Sequence, residues 1–145
     1  MKKSERMQVL VNLSQRKEDE VAKALAKDQA RLQHDQQKLQ ELKDYASQYD
    51  QERNLLGLSP YLTTNYQHFV NRLQQAIQQQ DQQVKRSQQQ VTMSMKRWQN
   101  ARAKTKGMDW LKDKSVREEL NIESKQEQKQ IDEFANRAFF ERMRS

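Results

Sequence analysis

The stretch LQELKDYASQYDQERNLLGLSPYLTTNYQHFVNRLQQAI, residues 39–77, decides the fold of this chain. Apolar residues recur on alternating steps of three and four in its first part, and they do so again in its last part. Gly57 and Pro60 lie between the two runs. A repeat of about 3.5 residues keeps one narrow seam against a partner helix, as in a coiled coil. Because Gly suits the residue after a helix and Pro the first residue of one, this stretch predicts a turn between two helices.

The same repeat extends outward to most of the chain. Before the turn its members are Met7, Val11, Val21, Leu25, Leu32, Leu39, Leu42, Ala46, Tyr49 and Leu56. After the turn they are Tyr66, Val70, Leu73, Ile77, Val84, Val91, Trp98, Ala101 and Met108. A short turn makes neighbouring helices antiparallel. We therefore predict an all-α fold, a long antiparallel two-helix coiled coil (a helical hairpin) in a single domain over residues 1–145.

Local signals give the expected limits of the two helices. The first is predicted over about residues 4–56, a range without Gly or Pro, and the turn over about 57–64. The second is predicted over about 60–143. Gly107 is a candidate break, because Gly inside a helix costs about 1 kcal/mol. Residues after about 116 would have no partner helix and would form an overhanging C-terminal segment.

Composition limits the classes of protein to which the chain can belong. Its 145 residues include 34% apolar and 32% charged side chains, too little apolar material for a thick core but enough for one seam. The absence of Cys excludes disulfides and thiolate metal sites. Apolar runs of two or three residues are far too short for a membrane span. We expect a soluble, cytoplasmic protein without direct membrane insertion.

Residues that could support catalysis are scarce. Two glycines cannot build a phosphate-binding loop, and His34 and His68 are isolated rather than spaced as metal ligands. A pair of helices also offers no deep pocket in which the pKa of a carboxylate could be shifted. We expect no enzyme activity, no metal and no cofactor.

Several positions in the middle of the predicted seam are polar. Asp28 and Asp35 occupy seam positions of the first helix, and Gln80 and Ser87 lie opposite or nearly opposite in the second. These positions form either a weak, hydrated stretch or paired polar layers that specify the register of the helices at some cost in stability.

The two flanks of the seam differ near the turn. One flank is polar, with Gln36, Lys43, Asp50, Gln67, Gln74 and Asp81. The other carries Lys38, Tyr45, Phe69 and Ala76 beside the seam residues Leu42, Tyr49 and Leu73. We call its apolar members the aromatic strip: Leu42, Tyr45, Tyr49, Phe69, Leu73 and Ala76. The strip either widens the seam or forms a docking surface for a partner protein, and exposed aromatic residues on a polar chain favour docking.

A basic segment follows in the second helix. Residues 96–117 contain eight Lys or Arg against two Asp, within a chain of net charge +7. The basic residues are Lys96, Arg97, Arg102, Lys104, Lys106, Lys112, Lys114 and Arg117. They are scattered around the helix, which is typical of a solvated surface but also suits an acidic protein face or nucleic acid.

The chain resembles the FliJ family of bacterial flagellar export proteins. The likeness is strongest at residues 39–49 (LQELKDYASQY), 65–77 (NYQHFVNRLQQAI) and 131–138 (IDEFANRA). The resemblance implies a component of the type III flagellar export apparatus, peripheral at the inner membrane, with a coiled coil similar to the gamma stalk of rotary ATP synthases. Its expected partners are the hexameric export ATPase FliI, the export gate protein FlhA and export chaperones.

The resemblance also implies two sets of binding residues. The gate-binding surface of the family maps onto the aromatic strip, except that Lys38 and Gln80 stand where Gln and His are found in the family. For the ATPase, the expected residues are Lys96, Arg97, Arg102, Lys104, Lys106, Ile131 and Phe134. Two alternatives remain: a nucleic-acid-binding helical protein using residues 96–117, and a structural coiled coil that homodimerises through its C-terminal segment. Salt-sensitive binding to arbitrary duplex would favour the first alternative, and concentration-dependent mass the second.

Overall fold

The structure, a computed structural model, describes residues 1–57 and 60–144. These residues form two helices, α1 over Lys3–Leu56 and α2 over Pro60–Arg144, and include no strand. The helices have 54 and 85 residues and pack against each other, which confirms the predicted all-α hairpin. Gly57 follows α1 with a φ of 53°, a left-handed conformation that Gly adopts without the steric cost of a Cβ atom. Part of the predicted turn, residues 58–59, lies outside the described residues.

Cross-helix contacts divide the chain into two compact units. The central unit contains Asp19–Asn100, and the terminal unit contains Met1–Glu18 with Ala101–Ser145.

The central unit pairs α1 and α2 in antiparallel register. Asp35 contacts Ser87, and seven residues earlier in α1 Asp28 contacts Ser94, seven residues later in α2. Its buried apolar side chains are those of seam positions: Leu25, Leu39, Tyr66 and Leu73. This narrow core is what a repeat of 3.5 residues predicts, because only one face of each helix is covered.

Within the terminal unit, the seam extends past Met108, the last apolar member of the repeat. Helix α2 runs through Gly107 without interruption, so the helix has no break there. The seam continues through Lys112, Ser115 and Glu119, and Ser115 is buried. The apolar repeat therefore stops before the pairing does, because polar side chains occupy the later seam positions.

The overhang begins later than the sequence indicates. Residues just beyond 116 still contact α1, since Glu119 accepts hydrogen bonds from Ser4 and Glu123 lies 3.6 Å from the amino group of Lys2. The side chains of residues 124–144 are all exposed. We therefore place the overhanging segment at 124–144.

Candidate functional site

The aromatic strip is assembled in the central unit from both helices. Tyr45 and Tyr49 lie four residues apart and share a face of α1, with ring centroids 6.3 Å apart. Phe69 of α2 completes the cluster, 4.5 Å from the ring of Tyr49 and 6.1 Å from that of Tyr45 in an edge-on arrangement. These distances are typical of favourable aromatic pairs. The structure thus brings the three predicted aromatic residues together.

Burial is graded across the strip. Leu73 is buried, whereas Leu42, Tyr49, Phe69 and Ala76 are half-buried. Tyr45 remains 49% exposed, the most open of the strip residues. The strip therefore rests on the seam on one side and leaves the ring of Tyr45 exposed on the other. The half-buried members widen the seam, as one alternative drawn from the sequence has it, whereas docking of a partner stays a prediction.

A second group of residues supports the strip from the polar flank. The ring of Tyr66 stacks on that of Tyr49 at 4.9 Å with an interplanar angle of 14°. Its hydroxyl donates a hydrogen bond of 2.6 Å to Asp50, and the guanidinium carbon of Arg53 lies 4.6 Å from its ring centroid. The bond to Asp50 raises the pKa of Tyr66 above its ordinary value, because the neutral phenol is the donor. We call Tyr66, Asp50 and Arg53 the anchor group.

Sequence reasoning placed Tyr66 in the seam and Asp50 on the polar flank but did not connect them. The heptad pattern gives no sign of this contact, because the hydrogen bond depends on side-chain rotamers. Arg53 occupies the seam position between Tyr49 and Leu56, but a charged side chain there gives no apolar signal.

The polar seam positions form two hydrogen-bonded layers. In one, Asp35 accepts a hydrogen bond from the hydroxyl of Ser87, while Gln80 donates to the main-chain oxygen of Asp35 at 2.9 Å. In the other, Asp28 accepts from the hydroxyl of Ser94. The hydrogen bond from Ser87 lowers the pKa of Asp35, because it stabilises the ionised carboxylate more than burial disfavours it. Ser94, which is buried, was not among the predicted residues.

The residues expected to bind the ATPase lie in both units. Lys96 and Arg97 belong to the central unit, while Arg102, Lys104 and Lys106 belong to the terminal unit. Ile131 and Phe134 lie in the overhang. All seven side chains are exposed, as an electrostatic or apolar contact with another protein requires.

The terminal unit has a cross-helix cap that the sequence did not indicate. Glu119 accepts a hydrogen bond of 3.0 Å from the main-chain nitrogen of Ser4 and one of 2.7 Å from its hydroxyl. A helix start leaves such N–H groups without partners, and a carboxylate also interacts well with the helix dipole. These bonds lower the pKa of Glu119.

Two further observations concern classes of site within the described part of the chain. No helix there is long and apolar enough to cross a membrane. Nor do the described residues bring together three or more His, Cys, Asp or Glu in a group that could hold a metal ion.

Comparison with known proteins gives one consistent result. A family described as "Flagellar FliJ protein" matches residues 2–144. The chain is 28% identical over 135 residues to a flagellar FliJ protein of Salmonella typhi, covering 91% of this chain and 92% of the relative. It is 27% identical over 132 residues to the flagellar FliJ protein of Escherichia coli K12, covering 89% and 90%. The chain therefore belongs to the FliJ family of flagellar export components.

Proposed function

We propose that this chain is a non-enzymatic coupling protein that binds the export gate protein FlhA through the aromatic strip and the export ATPase FliI through the terminal unit. The single observation that carries the proposal is the ring cluster of Tyr45, Tyr49 and Phe69, which is packed on one side and open on the other. Membership in an export-apparatus family supports the choice of partners.

The exposed part of the strip suits a protein partner. Aromatic residues dominate binding energy at interfaces because they bury much area for few rotatable bonds. Tyr45 is exposed, and its ring is held by neighbours on two sides. A partner that covers it gains apolar burial and loses little side-chain entropy.

Two positions of the family surface differ in this chain, and the structure separates their consequences. Gln80 is buried and donates to the main chain of Asp35, so its side chain serves the seam. Lys38 is exposed and adds a positive charge at the edge of the strip. We expect Lys38 to affect the rate and salt dependence of gate binding more than its strength.

The terminal unit suits an acidic partner. Its exposed residues Arg102, Lys104 and Lys106 belong to the segment 96–117, which has eight basic residues against two Asp. The overhang adds exposed apolar residues, among them Ile131 and Phe134. A ring lumen lined with carboxylates would attract the basic segment and cover these apolar side chains. Export chaperones that the chain escorts would bind to the same unit. Binding to the gate would hold the chain at the periphery of the inner membrane.

The gate contact is tested with Tyr45→Ala, measured by calorimetric titration against the cytoplasmic part of FlhA. Met93→Ala is the matched control, because Met93 lies in the same unit and is exposed to a similar extent. We expect Tyr45→Ala to weaken binding by about tenfold or more, the effect of losing an aromatic interface residue, and Met93→Ala to leave it unchanged. Equal binding by both variants would refute the gate contact.

The ATPase contact is tested by removing residues 124–145. This truncation keeps Glu119 and Glu123, and with them the described contacts to α1. We expect stimulation of the FliI ATPase to be lost while gate binding is retained. Full stimulation by the truncated protein would exclude the overhang from the mechanism.

A further inference from the structure

We propose that the anchor group, Tyr66 with Asp50 and Arg53, is a positioning device that preorganises the aromatic strip for its partner. The inference rests on the proposed docking function of the strip. It concerns a buried seam residue, Tyr66, and its partner Asp50 on the opposite flank of the seam from the exposed ring of Tyr45.

Tyr66 is held on several sides at once. Its hydroxyl is bound by Asp50, Arg53 lies over its ring, and Tyr49 stacks against it. The residue is only 5% exposed. A phenol with its oxygen and its ring face both engaged keeps one orientation, because each alternative rotamer would break the bond to Asp50.

The ring of Tyr66 restricts the orientation of the rings in the strip through direct contacts. Tyr66 stacks on Tyr49, Tyr49 packs on Phe69, and Phe69 meets the edge of Tyr45. The four rings thus form an unbroken series from a buried, tethered member to an exposed one. Tyr49 has Tyr66 on one side and Phe69 on the other, so its rotation is restricted only while Tyr66 stays in place.

Preorganisation has a measurable value in binding. Ordering a flexible side chain at an interface costs about 0.5–1.5 kcal/mol, and a surface already ordered in the free protein avoids that cost. The residues of a binding site are held in the geometry that binding requires by neighbouring residues that do not themselves contact the partner. Tyr66 fits this description, because it is buried yet adjoins the strip. Under this proposal, Asp50 and Arg53 affect partner binding only because they hold Tyr66 in place.

The test is a double-mutant cycle on the hydrogen bond between Tyr66 and Asp50, measured by calorimetric titration against the cytoplasmic part of FlhA. Tyr66→Phe and Asp50→Ala each remove the hydrogen bond between these two residues and keep the ring stack. We expect each to weaken binding by about threefold to tenfold, with no further loss in the double variant, because coupled partners are non-additive. Asp50→Asn retains an acceptor and should recover most of the affinity.

Two control variants separate positioning from general destabilisation. Asp44→Ala removes an exposed carboxylate whose bond is to Gln40 within α1, so it should leave binding unchanged. Leu25→Ala removes a buried seam residue far from the strip in sequence, so it should lower the thermal midpoint without weakening binding. Weakening by Leu25→Ala equal to that by Tyr66→Phe, or additive losses in the cycle, would overturn the inference.

A spectroscopic measurement does not depend on the gate. Asp50→Ala leaves every aromatic residue in place, so loss of near-UV circular dichroism at unchanged far-UV signal would report freer rings in the strip. Asp44→Ala should keep the near-UV signal. If Tyr45→Ala fails to weaken gate binding, the proposed function fails while this measurement still decides the inference. An unchanged near-UV signal in Asp50→Ala overturns the positioning role.

Discussion

Replacing one polar layer of the seam should show whether it stabilises the hairpin or specifies its register. The perturbation is made at Asp35, which is 8% exposed and is bound by the hydroxyl of Ser87. Asp35→Ala removes a hydrogen bond to a charged group and leaves the hydroxyl of buried Ser87 without that partner. Such a loss costs about 1.5–3 kcal/mol, which lowers the thermal midpoint of a chain of this size by about 4–10 °C.

The paired variant Asp35→Leu with Ser87→Ala should behave differently. No hydroxyl is orphaned, and a buried Leu contributes about 1.5–3 kcal/mol, which offsets the lost bond. We therefore expect a midpoint equal to or above that of the parent. Without the polar layer, alternative pairings also become accessible, visible as dimers or higher species in light scattering. A paired variant as unstable as Asp35→Ala would refute the reasoning, because the layer would then be a net source of stability.

The pH dependence of the midpoint provides a second measurement on the same variants. The pKa of Asp35 is lowered in the folded protein, chiefly by Ser87. A carboxylate with a depressed pKa contributes its full stabilisation above the pKa of the unfolded state, about 4, and loses it as the pH falls through the folded value. The parent should therefore lose more stability than the paired variant on acidification below pH ~4. Parallel curves would show that Asp35 carries no such linkage.

Three further predictions concern the terminal unit. Glu119→Ala should speed amide exchange at Ser4, and unchanged exchange there would exclude the cap. In the parent, the protection of the Ser4 amide should decrease as the pH is lowered, because the bonds from Ser4 lower the pKa of Glu119 and are lost when Glu119 is protonated. Gly107→Ala should raise the thermal midpoint by about 2–4 °C, since the added Cβ meets nothing within 4 Å and the helix gains propensity; a lower midpoint would mean that the helix needs Gly there. Amides of residues 124–144 should exchange much faster than those of the paired seam and become protected when FliI is added; strong protection in the free protein would instead indicate self-association.

The fold could be predicted because its cause is visible in the sequence. Heptad positions such as Leu25, Leu39 and Leu73 identify the seam, and Gly57 marks the end of α1. The extent of pairing beyond residue 116 could not be predicted, since the seam position there holds Glu119, which no apolar pattern detects. The contribution of Glu119 depends on hydrogen bonds from Ser4, a residue 115 positions away in sequence.

The residues of the aromatic strip could be predicted from the sequence, but the contacts that hold them in place could not. Helical periodicity places Tyr45 and Phe69 on one flank beside the seam residue Tyr49, which is enough to expect a strip. It cannot show that Tyr66 links that flank to Asp50, because the link depends on side-chain rotamers across the seam. The layers show the same limit: Asp35 and Ser87 were expected to face each other, but Ser94 became visible only as the partner of Asp28.

The cross-helix bonds also set an order in which the hairpin can form. The bond between Tyr66 and Asp50 joins residues 16 apart in sequence, those of the polar layers join residues 45 to 66 apart, and that between Ser4 and Glu119 joins residues 115 apart. Loop-closure entropy makes the last closure about 1.7 kcal/mol more costly than the first if each forms alone. Closure in order of increasing separation avoids most of this difference, because each bond shortens the loop that the next must close. We therefore expect pulse-labelled refolding to protect amides near the turn first and those of residues 4–7 last, so that a nascent chain would gain its N-terminal cap only after residue 119 has been synthesised.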